Sequence, residues 1–149
     1  MTLLEMCASL IFGGGVYIII EILYRGYSHW SMAIAGGVSF LLLHGLFSKF
    51  SGMHMILKLV ACLIIISSVE FLVGYIVNMR FRWNIWDYSN HRYNLYGQVC
   101  LRYSLTWALF AIPISLISHI WGMLFWPIAW RQYMIPICSS LPSPHCRPR

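Results

Sequence analysis

The sequence predicts an all-α, polytopic transmembrane helical bundle of about four spans, followed by a C-terminal interfacial or re-entrant segment. Three observations carry this. Apolar residues make up 60% of the 149 residues and charged residues only 9%, whereas a soluble domain averages about 45–50% and about 25%. Mean hydropathy is +0.71, and a chain of this size buries only roughly two-thirds of its surface on folding, so the apolar excess needs lipid as its solvent. The apolar residues also fall into separate runs near the length of about 20 that a span requires. Disorder, coiled coil, a disulfide-stapled secreted domain and nearly every water-soluble enzyme are thereby excluded.

The first run, 3–24, has Glu5 as its only early charge and ends in Glu21-Ile-Leu-Tyr-Arg25. It lacks the basic start and small-residue cleavage site of a signal peptide, and so reads as a retained first helix. A tight turn at 26–29 leads to a second helix at 30–47, and a short polar hairpin at 48–55 to a third at 56–79 that contains Glu70. Residues 80–96 (RFRWNIWDYSNHRYNLY) are the least apolar stretch. Their Trp and Tyr content suits the headgroup level, so this loop is expected to fold on the membrane surface. A fourth helix is expected over 97–120. The segment 121–137, aromatic and interrupted by Pro127 and Pro136, is short for another span and reads as interfacial. Residues 138–149, with three prolines, read as a disordered tail. The transmembrane domain thus covers 1–137.

Ten Lys/Arg against four Asp/Glu give a net charge of +6. The cations stand singly among aromatic residues, so they point to topology and headgroup contact and not to nucleic acid. Five of them (Arg25, Arg80, Arg82, Arg92, Arg102) lie near helix ends on the side of the long loop, against Lys49, Lys58 and Arg131 opposite. This balance places the 80–96 loop on the cytoplasmic side. The five cysteines are an odd count without CxxC spacing, and neither a disulfide nor a metal is expected. His44 and His119 read as packing residues, and neither Met53-His54-Met55 nor His145-Cys146 has the spacing of a metal site.

Helices in lipid associate through small residues and polar contacts. The fourth helix carries Gly97, Cys100, Ser104, Ala108, Ala111, Ser115, Ser118 and Gly122 at helical spacing. The third carries Ser67, Glu70, Gly74 and Asn78, and the second Ala33 and Gly37. Gly13-Gly14-Gly15 permits close packing or a bend in the first.

A charge deep in a bilayer costs about 2.5–3.5 kcal/mol on insertion scales and so faces protein or water. With a rise of about 1.5 Å per residue, Glu21 sits about 5 Å inside its helix end, Arg102 about 8 Å and Glu70 about 14 Å, all in one half of the bilayer. Glu21 is placed to meet Arg25 at i,i+4. One reading is a polar vestibule on the side of the long loop, with Glu70 at its base and Glu21, Arg25, Asn78 and Arg102 along it. The other is structural: Glu70 or Glu21 pairs with Arg102, or a neutral Glu70 bonds to Ser67 or Asn78. No GxxxxGK[ST], HExxH or GxSxG signature occurs. The chain is therefore not expected to be an enzyme or to hold a cofactor, and ATP-driven activity would need a separate ATPase subunit.

Glu21-Ile-Leu-Tyr-Arg-Gly-Tyr-Ser-His-Trp-Ser-Met, Gly36-Gly37, Glu70-Phe-Leu-Val-Gly, Asn84-Ile-Trp-Asp-Tyr-Ser-Asn and Asn94-Leu-Tyr-Gly-Gln-Val-Cys-Leu follow one another in order. Together they resemble the putative ABC-transporter type IV (CmpB-like) family, small bacterial multi-span proteins many of which carry a permease label. The resemblance runs roughly over 16–107 and fades beyond about residue 120. It implies a bacterial plasma-membrane protein and draws attention to Trp86, Asp87, Tyr88, Asn94 and Gln98 in or beside the loop. These residues act either as a gate over the vestibule or as a rigid cap in which Asp87 pairs with Arg80 or Arg82. The function expected is a permease-like, oligomeric subunit for a small solute or ion. The alternatives are a non-transporting scaffold that binds a partner through the 80–96 loop, and a holin-like pore, which the internal carboxylates disfavour.

Overall fold

A computed structural model describes residues 1–140, with side chains described as far as Phe125. α1 (Leu3–Arg25) opens with a capping box: the Glu5 backbone N–H donates to Thr2 Oγ1 at 3.2 Å and the Thr2 backbone N–H donates to Glu5 Oε2 at 3.1 Å. It closes on Gly26 at φ 81°, a left-handed position that glycine takes without steric cost. α2 (Trp30–Lys49) starts where His29 Nδ1 accepts the Ser31 backbone N–H. α1 and α2 form the tightest helix pair, and glycines allow it. A Cβ built on Gly14 would lie 2.6 Å from the Ala33 carbonyl oxygen, and one on Gly37 would lie 2.5 Å from that of Leu10. Gly13 and Gly14 of the α1 glycine run therefore form a packing seam, while Gly15 faces away from it.

α3 (Met55–Gly74) passes into one π-helical stretch, Tyr75–Arg80, at its C-terminal end. Its small and polar stripe faces protein. Ser67 Oγ donates to Ser104 Oγ at 2.7 Å, and Glu70, Gly74 and Asn78 are buried. Two clusters fill the interior: Leu43, Phe47, Cys62, Ile66 and Ala111 at one level, and Tyr17, Met32, Val77 and Trp86 nearer the loop. Large apolar side chains such as Ile11, Leu23, Leu72 and Leu116 are exposed. That is how a bundle solvated by acyl chains should look. Three helices are long and apolar enough to cross a bilayer.

The fourth span departs from expectation in three ways. It starts at Leu101 and not at Gly97. Gly97 is left-handed at φ 68°, and Asn94–Leu95 (β1) pairs antiparallel with Val99–Cys100 (β2) in a small hairpin. It is also broken: α4 (Leu101–Leu109) and the segment Ala111–Phe125 of α5 meet at 42°. Pro113 explains the break, because it has no N–H for the carbonyl of Leu109 and its ring crowds that group. Finally, α5 runs from Ala111 to Ser140 without interruption, so the expected boundary at 120–121 is absent. Of the tail expected from 138 onward, residues 138–140 belong to α5 and the rest lies outside the described residues.

Candidate functional site

The two charged ends of α1 lie about 24 Å apart along its axis, from Glu5 to Glu21, at 1.5 Å per residue. Around the Glu21 end is a cavity of about 510 Å³ between α1, α4 and the 85–91 part of the loop. Glu21, 6% exposed, takes two partners. Arg25 Nη1 lies 2.9 Å from Oε1, and Ser28 Oγ donates to Oε2 at 2.5 Å. Arg25 Nη2 also donates to the Ile85 carbonyl at 3.2 Å, fastening the loop to the end of α1.

Glu70 lies one hydrogen bond behind this cavity and does not line it. Tyr17 stands between them: its hydroxyl donates to Glu70 Oε1 at 2.5 Å, while its ring lines the cavity and lies 5.3 Å from that of Trp107. Glu70 is 4% exposed. Neither Ser67 nor Asn78 bonds to Glu70, in contrast to the structural expectation.

The loop is held as a cap by a buried amide network. Asn78 Nδ2 donates to the Trp86 carbonyl at 3.0 Å and to Gln98 Oε1 at 2.9 Å, and Asn78 Oδ1 accepts the Ile85 N–H at 2.8 Å. Trp86 Nε1 donates to the Gln98 carbonyl at 2.9 Å. Asn94 ties the outer turn by donating to the carbonyls of Ser89 and His91 and accepting the Gly97 N–H. Asp87 does not pair with Arg80 or Arg82. Its two oxygens accept the Ser89 N–H at 2.8 Å and Ser89 Oγ at 2.9 Å, and those bonds hold its carboxyl below the usual aspartate range. Burial pushes the Tyr88 phenol above its ordinary value, with the nearby Glu70 carboxylate adding to the shift.

The sequence-predicted residues therefore separate into groups. Glu21, Arg25, Trp86, Asp87 and Tyr88 line one cavity, with Glu70 directly behind it. Asn78 and Gln98 hold the cap and do not line the cavity, and Asn94 shapes the outer turn. Arg102 is the correction. It is the second residue of α4, exposed, and paired with neither glutamate, because the helix begins four residues later than expected. It therefore sits at the membrane boundary, where an arginine costs little.

A second ionisable pair lies at the opposite end of the bundle. His44 Nε2 is 2.9 Å from Glu5 Oε1, with His44 fully buried. Beside it, a cavity of about 400 Å³ is bordered by Glu5, Lys58, Ser115 and Ser118; Lys58 Nζ donates to Ser115 Oγ at 3.2 Å, and Ser118 Oγ is buried without a partner among the described residues. Between the two polar cavities lies an apolar one of about 150 Å³, which shares Tyr17, Ile20, Trp107 and Phe110 with the upper cavity. Sequence reasoning passed over Tyr17, Glu5 and the Glu5–His44 pair. A buried glutamate needs a donor, but nothing local indicates one 53 or 39 residues away.

The sequence model of the family described as putative ABC-transporter type IV matches residues 2–141. The chain belongs to that family. The match includes both polar cavities and all of α5, so family membership extends well beyond the 16–107 stretch in which the resemblance was legible. No curated protein and no solved structure matches the chain. Family membership and the apolar helices together make the chain an integral membrane protein.

Proposed function

We propose that the chain is a permease-like subunit of a bacterial plasma membrane that passes a small solute or ion. The path enters the Glu21–Arg25 cavity and turns on the Tyr17–Glu70 pair at its base. The observation that carries this reading is the order of cavities along α1: a polar one, an apolar constriction containing Tyr17, and a second polar one. Polar cavities at both ends of a bundle, with a short apolar barrier between them, suit a closed resting state that opens by a small shift at the constriction. The break at Phe110 supplies a place for that shift, since Phe110 borders both the barrier and the upper cavity. Four helices enclose little space, so the working unit is an oligomer, with energy supplied by a separate ATPase subunit. The 80–96 loop faces the cytoplasm, where such a subunit would dock. The chain itself performs no covalent chemistry.

Purified protein in liposomes tests this. Potassium, proton and tetramethylammonium fluxes are compared for wild type and Glu70→Gln. Flux through wild type that the mutant loses by tenfold or more supports the path. Equal flux in both, or none from wild type reconstituted with its ATPase partner, overturns it.

The alternative is a scaffold that binds a partner through the loop. It is favoured by one observation: the cap is tightly tied yet presents Tyr93 and Tyr96 outward, 80% and 72% exposed.

A further inference from the structure

The upper cavity has a chemical character of its own. Its walls are largely aromatic, and the rings form connected surfaces. Tyr88 lies 4.8 Å from Tyr103, and Tyr103 meets Tyr24 edge-on at 6.4 Å. Tyr17 and Trp107 form the floor. A ring face carries negative potential and attracts a cation brought within about 6 Å of its centroid. This site already holds one such contact, the Arg25 guanidinium 5.0 Å over the Tyr27 ring.

The charges point the same way. Two carboxylates, Glu21 and Asp87, and one guanidinium, Arg25, border the cavity. Arg25 is committed to Glu21 and to the Ile85 carbonyl. Asp87 is ionised at neutral pH, for the reason given above, and has no cationic partner among the described residues. One negative charge is thus left in excess, beside faces that favour positive charge. A small metal ion would instead need several converging oxygen or nitrogen ligands. Among the described residues no group of three His, Cys, Asp or Glu provides them. A volume of about 510 Å³ lies within the range of about 300–1,000 Å³ typical of small-molecule sites.

We propose that this cavity binds a small organic cation, an alkylammonium group seated against the Tyr24–Tyr103–Tyr88 wall with Asp87 as its counter-charge. This names the substrate class of the path proposed above and rests on that reading for transport; binding itself does not depend on it. A free amine and the headgroup of a zwitterionic phospholipid offer the same ammonium.

The test uses the full-length chain in nanodiscs of phosphatidylglycerol, which contains no amine. Tetramethylammonium chloride is titrated by calorimetry, with sodium chloride and neutral tert-butanol as controls. Saturable binding of tetramethylammonium alone is expected. Tyr103→Leu and Asp87→Asn should each weaken it by about 2- to 30-fold, the range for one cation–π or exposed charge contact. Tyr103→Phe, which keeps the ring face, should retain most of the affinity. Melting curves for each variant verify folding. No saturable binding by folded wild type, equal binding of tert-butanol, or variants that leave the affinity unchanged would overturn the proposal. Repetition in phosphatidylcholine nanodiscs separates the sources. Loss of tetramethylammonium affinity there supports a lipid headgroup as the occupant, and unchanged affinity supports a free solute. Binding without flux sinks only the transport reading, and flux without binding sinks only this one.

Discussion

Substituting alanine for Gly14 should destabilise the bundle, whereas the same change one residue later should not. At Gly14 the added Cβ lies 2.6 Å from the Ala33 carbonyl oxygen and 3.2 Å from its carbon, and both are backbone atoms that cannot swing away. To reach an ordinary contact of about 3.4 Å, α1 and α2 must separate by roughly 0.8 Å, a gap that forfeits a quarter to a half of the dispersion attraction along the seam. At Gly15 a Cβ meets nothing within 4 Å. Both variants gain the same helix propensity, up to about 1 kcal/mol, so their difference isolates the overpacking cost of about 1–3 kcal/mol. For a chain of this length that is a gap of about 2–12 °C in melting temperature. Tryptophan fluorescence on heating in detergent micelles measures it. The effect reaches the site, because a Cβ on Gly36 of the same seam would lie 2.8 Å from the ring of Tyr17, the partner of Glu70. If Gly14→Ala melts at or above Gly15→Ala, the close-approach argument is wrong, and with it the account of how Tyr17 is positioned.

Two further outcomes follow from the site. Tyr17→Phe removes the hydroxyl that donates to buried Glu70, and should cost about 1–3 kcal/mol. Glu70→Gln, which keeps an acceptor for Tyr17, should cost less, and a double-mutant cycle in thermal melts should return a coupling above about 0.5 kcal/mol; additivity would refute the pairing. The Asp87–Ser89 turn should depend on pH. A carboxyl whose folded value is depressed contributes its full stabilisation above the ordinary aspartate range and loses it as pH falls through the depressed value. The Ser89 amide resonance should therefore be constant at neutral pH and move only below that range, and in Asp87→Asn it should not titrate.

Much of the fold was legible because its solvent is lipid. Hydropathy and length alone locate three spans, and the i,i+4 rule alone pairs Glu21 with Arg25. The misreadings share a cause, namely treating 97–120 as one uniform apolar run. Gly97 and Pro113 were visible signals of a left-handed turn and a helix break, but apolar content outweighed them. Starting the helix at Gly97 then moved Arg102 into the membrane. The loop was opaque for another reason. Arg82, Asn84, Tyr93 and Tyr96 all adopt positive φ, which side-chain identity alone does not announce. Those conformations persist because the Asn78–Trp86–Gln98 network holds the backbone around them. Tertiary partners of buried polar groups, such as Tyr17 for Glu70 and His44 for Glu5, have no sequence-local signature.

Comparison of the three buried glutamates argues for function at one of them. Glu5 has a structural task, since its carboxylate caps α1 through the Thr2 N–H and docks α2 through His44. Glu21 also has one, joining Arg25 to Ser28 across the first turn. Glu70 caps no helix and has no histidine, lysine or arginine at ion-pair distance among the described residues; its hydrogen bond comes from a tyrosine hydroxyl. Apolar side chains at both positions, phenylalanine for Tyr17 and an aliphatic residue for Glu70, would fill the space at lower cost, as replacement of whole buried ion pairs by hydrophobic residues shows in other proteins. A carboxyl in mid-membrane that neither caps a helix nor pairs with a cation, and whose one partner, Tyr17, borders both a polar cavity and an apolar one, fits the passage proposed above. On that ground Glu70, and not the better-paired Glu21, is where substitution should abolish flux while the fold survives.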